Sequence, residues 1–288
     1  MTRFIALLFA QLMSISALAA DTPTKTADTF TIHNSDVFSI NSKILDRTYD
    51  IYIKLPFGYN KKVNRDVSYP ALYLNDGPHT FKVAAGVTHY NSMDKAIIVG
   101  ISFAHGEDGK SSRTRDLTPV EDSSWSHHVT GGAPDYLRFI EQEVIPFVES
   151  NYRANPTRRI LSGHSLGGSF GAWVLLTKPH LFSGFILTSP ALWYKDDMIF
   201  ALEERYAKQH VSLKANIFIA TGALETHENG ARNDFVDVHQ RFVQRLRSRN
   251  YQGIKIIDEV SSGADHFSIY PVGLAKGLRW MYREAWSE

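Results

Sequence analysis

The chain has 288 residues, with 31 Lys and Arg against 30 Asp and Glu, and a net charge of +1 with neutral histidines. That balance gives no electrostatic case for nucleic acid or an anionic membrane as a partner. Cysteine is absent, which excludes disulfides, thiolate metal sites and a cysteine nucleophile. The 43% apolar and 21% charged content is an ordinary globular mix that can build one sizeable core.

Residues 1–20 read as an export signal: Arg3 precedes an apolar stretch over 4–18, and Ala17-Leu18-Ala19 suits a signal peptidase. The stretch is short for a bilayer span. The expectation is an exported protein, periplasmic or secreted, with no stable membrane anchor and a single domain over 21–288. Residues 37–43 and 48–55 alternate, with Tyr49, Ile51, Ile53 and Leu55 on one face, and predict an antiparallel hairpin at a sheet edge. Residues 69–74 predict a short strand ending in the turn signal Asn75-Asp76-Gly77-Pro78, followed by a helix over 80–91. The continuous apolar run 96–103 predicts a strand buried on both faces. Residues 104–132 are polar and without periodicity, as long functional loops are. Helical spacing returns over 135–152, with a kink expected at Pro146.

Beyond that point strands are expected near 183–188, 215–221 and 253–260, and helices over 197–208, 232–249 and 268–286. Strands alternating with helices predict an α/β fold, a mostly parallel central sheet with an antiparallel N-terminal hairpin and helices on both faces.

The centre of this pattern is Gly163-His164-Ser165-Leu166-Gly167-Gly168. An apolar run enters it and a Gly-rich helical pattern leaves it, which is the strand-turn-helix context of a nucleophile elbow. The sharp turn asks for residues without a β-carbon two before and two after the serine, here Gly163 and Gly167. Ser165 is the candidate nucleophile, and the amide of Leu166 would face a developing oxyanion. In such sheets the loops after successive strands meet at one edge, so the acid and base are sought there, in the order serine, acid, histidine. Glu225 lies just past the strand ending near 221, with Glu228 as its competitor. His266 lies in the loop between the last strand and last helix, and is the candidate general base. A second oxyanion amide is expected after the strand ending at Leu74; Pro78 cannot donate, which leaves Gly77 or His79. Within and beside the 104–132 segment, Arg113 and Arg115 could hold an anionic group of a substrate or simply form loop ion pairs. Trp125 and Trp193 could stack an aromatic or apolar group or serve as core. No His-Glu-x-x-His helix exists, His127 and His128 are sequence neighbours, and Asp196-Asp197 reads as a helix start, so neither metal nor cofactor is called for.

Tyr73-Leu74-Asn75-Asp76-Gly77, Arg115-Asp116-Leu117-Thr118-Pro119, the elbow, Ser189-Pro190-Ala191-Leu192-Trp193 and Asp265-His266 occur together in this order. In this the chain resembles, over roughly residues 37–286, the esterase family of α/β hydrolases. That family holds enterochelin esterases, feruloyl esterases, S-formylglutathione hydrolases and mycolyltransferases. The similarity is strongest to the exported group around the periplasmic siderophore esterases. The resemblance implies an α/β-hydrolase fold, Ser165 as nucleophile, His266 as base, and a small-molecule ester as partner; the acid varies among members. Three functions are consistent with the residues: hydrolysis through an acyl-serine, transfer of the acyl group to an alcohol, and non-catalytic binding on a hydrolase scaffold.

Overall fold

A computed structural model describes residues 29–90 and 92–286; the export signal expected at 1–20 lies outside them. The chain divides into a unit up to Thr31, whose described residues 29–31 have no regular structure, and a second unit from Ile32 onward. The second unit opens with the expected hairpin. Strands β1 (Ser35–Ser42) and β2 (Arg47–Lys54) pair antiparallel from Ser35 opposite Lys54 to Ser42 opposite Arg47. The alternating Tyr49, Ile51 and Ile53 are each at most 1% exposed.

Strand β3 (Tyr69–Leu74) leads into helix α1 (Gly77–Val87). The predicted turn at 75–78 is the entry of this helix, which starts earlier than the spacing predicts. Pro78 sits in the first turn, where a missing N–H costs nothing. Strand β4 (Ile97–Ala104) follows. The expectation of an unstructured 104–132 segment is corrected: it contains helix α2 (Gly109–Leu117), capped by the Asp108 carboxylate accepting from the amides of Lys110 and Ser111. The helix is invisible to hydrophobic periodicity because, Leu117 apart, the residues it buries are polar: Ser112, Thr114 and Asp116 are at 0, 1 and 4% exposure. Ser112 accepts from the Ala104 amide and donates to Asp116, which also accepts from the Tyr49 hydroxyl.

Helices α3 (Ala133–Phe139) and α4 (Ile145–Asn151) are joined by a π-helical turn at Ile140–Val144, just before Pro146. The expected kink is therefore a widened turn that accommodates the absent proline N–H. Strand β5 (Ala154–His164), helix α5 (Leu166–Thr177), strand β6 (Gly184–Thr188) and helix α6 (Tyr194–Gln209) come next. They are followed by strand β7 (Ser212–Gly222), helix α7 (Phe235–Ser248), strand β8 (Gln252–Ser261) and helix α8 (Ile269–Trp280).

The sheet runs β1-β2-β4-β3-β5-β6-β7-β8, antiparallel at β1/β2 and β2/β4 and parallel elsewhere. Its two-residue period sorts the core. Tyr73, Val99, Leu161, Phe185 and Ile217 face one side, with Phe170 and Phe242. Leu72, Ile98, Ile160, Ile186 and Phe218 face the other, with Phe81 and Leu274. The chain leaves β3 toward β4 on one side and returns through β5 on the other, so the carboxyl ends of β3 and β5 flank a topological switch point, where ligands bind in open α/β sheets. This is an α/β-hydrolase fold. Among the described residues no helix is long and apolar enough to cross a membrane, and no group of three His, Asp or Glu is placed to hold a metal ion.

His239 on α7 is fully buried, with Nδ1 against Thr221 Oγ1 at 2.9 Å, and burial pushes its pKa down to about 4 from 6.5. The unfolded chain takes up this proton near pH 6.5 and the folded chain only near 4. Stability present above pH 6.5 is therefore lost as pH falls through that window, by about 1.4 kcal/mol per pH unit for this group. A His239→Gln variant is expected to lose less stability than wild type between pH 7.5 and pH 5, measured as the shift in urea midpoint.

Candidate active site

Between β5 and α5 the backbone of Ser165 adopts φ 57 and ψ −118. The Ser165 amide donates to Thr188 O at 3.0 Å, and Ser165 O accepts from the amides of Ala191 and Ser169, both at 3.0 Å. A β-carbon on Gly163 would lie 2.1 Å from Gly167 O, so the turn excludes any other residue there. The expectation for Gly167 is corrected. A β-carbon there would meet nothing nearer than Asp76 Oδ2 at 3.5 Å, an ordinary contact. The second close approach is one residue on, where a β-carbon on Gly168 would lie 2.9 Å from Pro190 Cα.

The loops after β7 and β8 bring the expected acid and base together. His266 Nδ1 donates to Glu225 Oε2 at 2.5 Å; the glutamate side chain is 4% exposed and the imidazole 29%. The other carboxylate oxygen, Oε1, accepts from Ser189 Oγ at 2.5 Å and from the Gly222 amide at 2.8 Å. Glu228 lies on the exposed 3-10 turn His227–Asn229, so of the two candidates Glu225 meets the histidine. The loop carrying His266 is braced by Asp265 Oδ1, which accepts from the Ser268 amide at 2.8 Å and its hydroxyl at 2.7 Å. The His266 ring packs on His164, the residue before Ser165, at 4.5 Å between centroids, and on Phe235 at 4.8 Å. Among the described residues Ser165 Oγ makes no hydrogen bond.

His164 was no candidate in the sequence, yet it lines this group. Burial, and then the neighbouring His266 and Arg113, push its pKa down to about 3, so its ring is neutral beside the candidate base. Its Nδ1 lies 3.1 Å from Thr188 Oγ1. The amides of Gly77 and Leu166 are the first of α1 and α5 and have no intrahelical acceptor. The His79 amide donates to Asp76 O at 2.9 Å, which leaves Gly77 as the available donor on its loop. Asn75 and Asp76 contact the position a Gly167 β-carbon would take, so the two loops are adjacent. Gly77 itself admits no side chain, because its β-carbon would lie 2.7 Å from Ile101 O.

The arginines differ in placement. Arg113 forms a bidentate pair with Asp76, Nε–Oδ1 2.9 Å and Nη2–Oδ2 3.1 Å, directly before Gly77. Arg115 is 14% exposed and bonds Asp116, Glu107 and the Tyr49 hydroxyl, so the ion-pair reading holds for it and its guanidinium is taken up by the α2 network. Trp193 packs edge-on against Phe235 at 6.0 Å, one ring away from His266. Trp125 packs edge-on against Tyr194 at 5.9 Å, on the loop that lines an open depression with His127 and His128.

The contrast between the two elbow glycines has a direct consequence. Gly163→Ala is expected to cost more than about 3 kcal/mol and to give little soluble protein, whereas Gly167→Ala is expected to fold within about 1 kcal/mol of wild type. Soluble yield and thermal melting of the two variants check this.

A family model described as "Putative esterase" matches residues 42–281. The chain is 31% identical over 274 residues to the ferri-bacillibactin esterase BesA of Bacillus subtilis, covering 88% of this chain and 92% of that protein. It is 26% identical to the siderophore triacetylfusarinine C esterase of Aspergillus fumigatus, covering 83% and 89%. Among solved structures, an IroE-like serine hydrolase from Shewanella oneidensis superposes with a TM-score of 0.75 at 26% identity, over 86% of this chain and 80% of that one. With the α/β-hydrolase fold and the grouping around Ser165 already described, the match over most of its length means that the chain belongs to the Putative esterase family and is an ester-hydrolysing enzyme.

Proposed function

We propose that this enzyme cleaves carboxylic esters of the siderophore type through an acyl-serine intermediate, with Ser165 as nucleophile, His266 as general base and Glu225 as the acid that orients it. The observation that carries the reading is the 2.5 Å contact of His266 Nδ1 with buried Glu225, with the imidazole stacked on the neighbour of Ser165. A proton held on Nδ1 by the carboxylate leaves Nε2 as the basic nitrogen. Nε2 takes the proton of Ser165 as Oγ attacks the ester carbonyl. The tetrahedral oxyanion is held by the amides of Leu166 and Gly77, and the imidazolium returns its proton to the leaving alkoxide as the C–O bond breaks. Water, activated by the same imidazole, then releases the acid.

The substrate class is supported by the activities named for the similar proteins, an esterase of ferri-bacillibactin and one of siderophore triacetylfusarinine C. Residues 1–20 are read as an export signal on the sequence alone, which would put the enzyme where such ligands arrive; amino-terminal sequencing of the native protein beginning at Met1 would overturn that part.

Ser165→Ala is expected to lower turnover of p-nitrophenyl esters by at least about a thousandfold and to abolish labelling by a fluorophosphonate. A tricatecholate trilactone offered to the wild type is expected to yield its linear hydrolysis products, seen by chromatography. Hydrolysis of the simple ester with the trilactone left intact would remove the siderophore assignment, and an acyl product on an added alcohol in preference to water would make the enzyme a transferase.

A further inference from the structure

The segment Ser189-Pro190-Ala191-Leu192-Trp193 has no place in the chemistry above, yet it bonds Ser165 and Glu225 directly and backs the ring that packs on His266. The Ala191 amide holds Ser165 O at 3.0 Å, Pro190 packs against the elbow at Gly168, and Trp193 backs Phe235, which packs on His266. Its first residue is the most telling. Ser189 is fully buried and sits at φ 38, a conformation an L-residue adopts only under constraint. Its amide is tied to Ala220 O at 2.7 Å, and its hydroxyl is aimed at Glu225 Oε1 at 2.5 Å.

A carboxylate that bonds only the histidine can rotate about its last torsion, which is broad and roughly two-fold. Here Oε1 is fixed from two directions, by the Ser189 hydroxyl and the Gly222 amide, and Oε2 alone is presented to His266. The hydroxyl also supplies a charge-assisted bond to a carboxylate that burial removes from water. We propose that Ser189 is a positioning residue of the reaction: it locks the rotamer of Glu225 and thereby the orientation of the His266 imidazole. The inference rests on the reading of Ser165, Glu225 and His266 given above.

Ser189→Gly is the informative variant, because glycine removes the hydroxyl and at the same time relieves the strained backbone. A purely structural serine predicts unchanged kinetics and unchanged or raised thermal stability. A positioning serine predicts a fall in kcat of about ten- to a hundredfold on p-nitrophenyl butyrate, with KM within about twofold and the melting temperature not lowered. In a Glu225→Ala background the same change is expected to cost less than about twofold, since its effect passes through Glu225. Wild-type kinetics in Ser189→Gly, or an equal loss in both backgrounds, would overturn the role. Retained turnover in Ser165→Ala would instead bring down the catalytic reading, and the inference with it.

Discussion

The backbone of Ser165, held at φ 57 and ψ −118, is the constraint around which the carboxyl edge of the sheet is built. Such a conformation costs roughly 1–3 kcal/mol and persists only where its surroundings over-determine it. Here the amide is bonded to the end of β6, the carbonyl to the segment after β6, and Gly163 lies against Gly167 O. The turn lifts the hydroxyl clear of the strand and starts α5 with the unpartnered amide of Leu166 beside it. The loops after β3, β7 and β8 then have a fixed point to meet.

Charge around that point is compensated pairwise. Glu225 receives three donors, Asp76 is clamped by both nitrogens of the Arg113 fork, and His164 is kept neutral by burial. A neutral ring against His266 adds packing without adding charge, and each buried carboxylate is hydrogen-bonded, as low local dielectric requires. Arg115 and Asp116 extend the same principle away from the site, where with Tyr49 and Ser112 they make a polar core under α2.

Helix α2 also marks where the sequence was hard to read. Periodicity locates an element by its apolar stripe, and this helix buries Ser112, Thr114 and Asp116 instead. The first half of β5 escaped for a related reason: Asn155 to Arg159 lie largely open and carry no apolar signal, so only the buried stretch before the elbow was legible. Arg113 and Arg115 look alike two residues apart, and their partners separate them: Arg113 reaches across the fold to Asp76, whereas Arg115 pairs locally with Glu107 and Asp116.

The amino-acid sequence by itself determined the alternation of strands and helices, the elbow, and the chain order of serine, acid and histidine, because each is written in local spacing and turn chemistry. It could also favour Glu225 over Glu228 by distance from a strand end. The tertiary structure alone decided that Glu225 meets His266, that Gly77 and not His79 keeps a free amide, and that Gly168 and not Gly167 is the second glycine the turn cannot replace. It alone brought Ser189 and His164 into the group. Apart from the local His79–Asp76 hydrogen bond, these facts depend on contacts between residues 22 to 102 positions apart, set by sheet order and by where a side chain happens to find its partner, and local pattern carries no record of either.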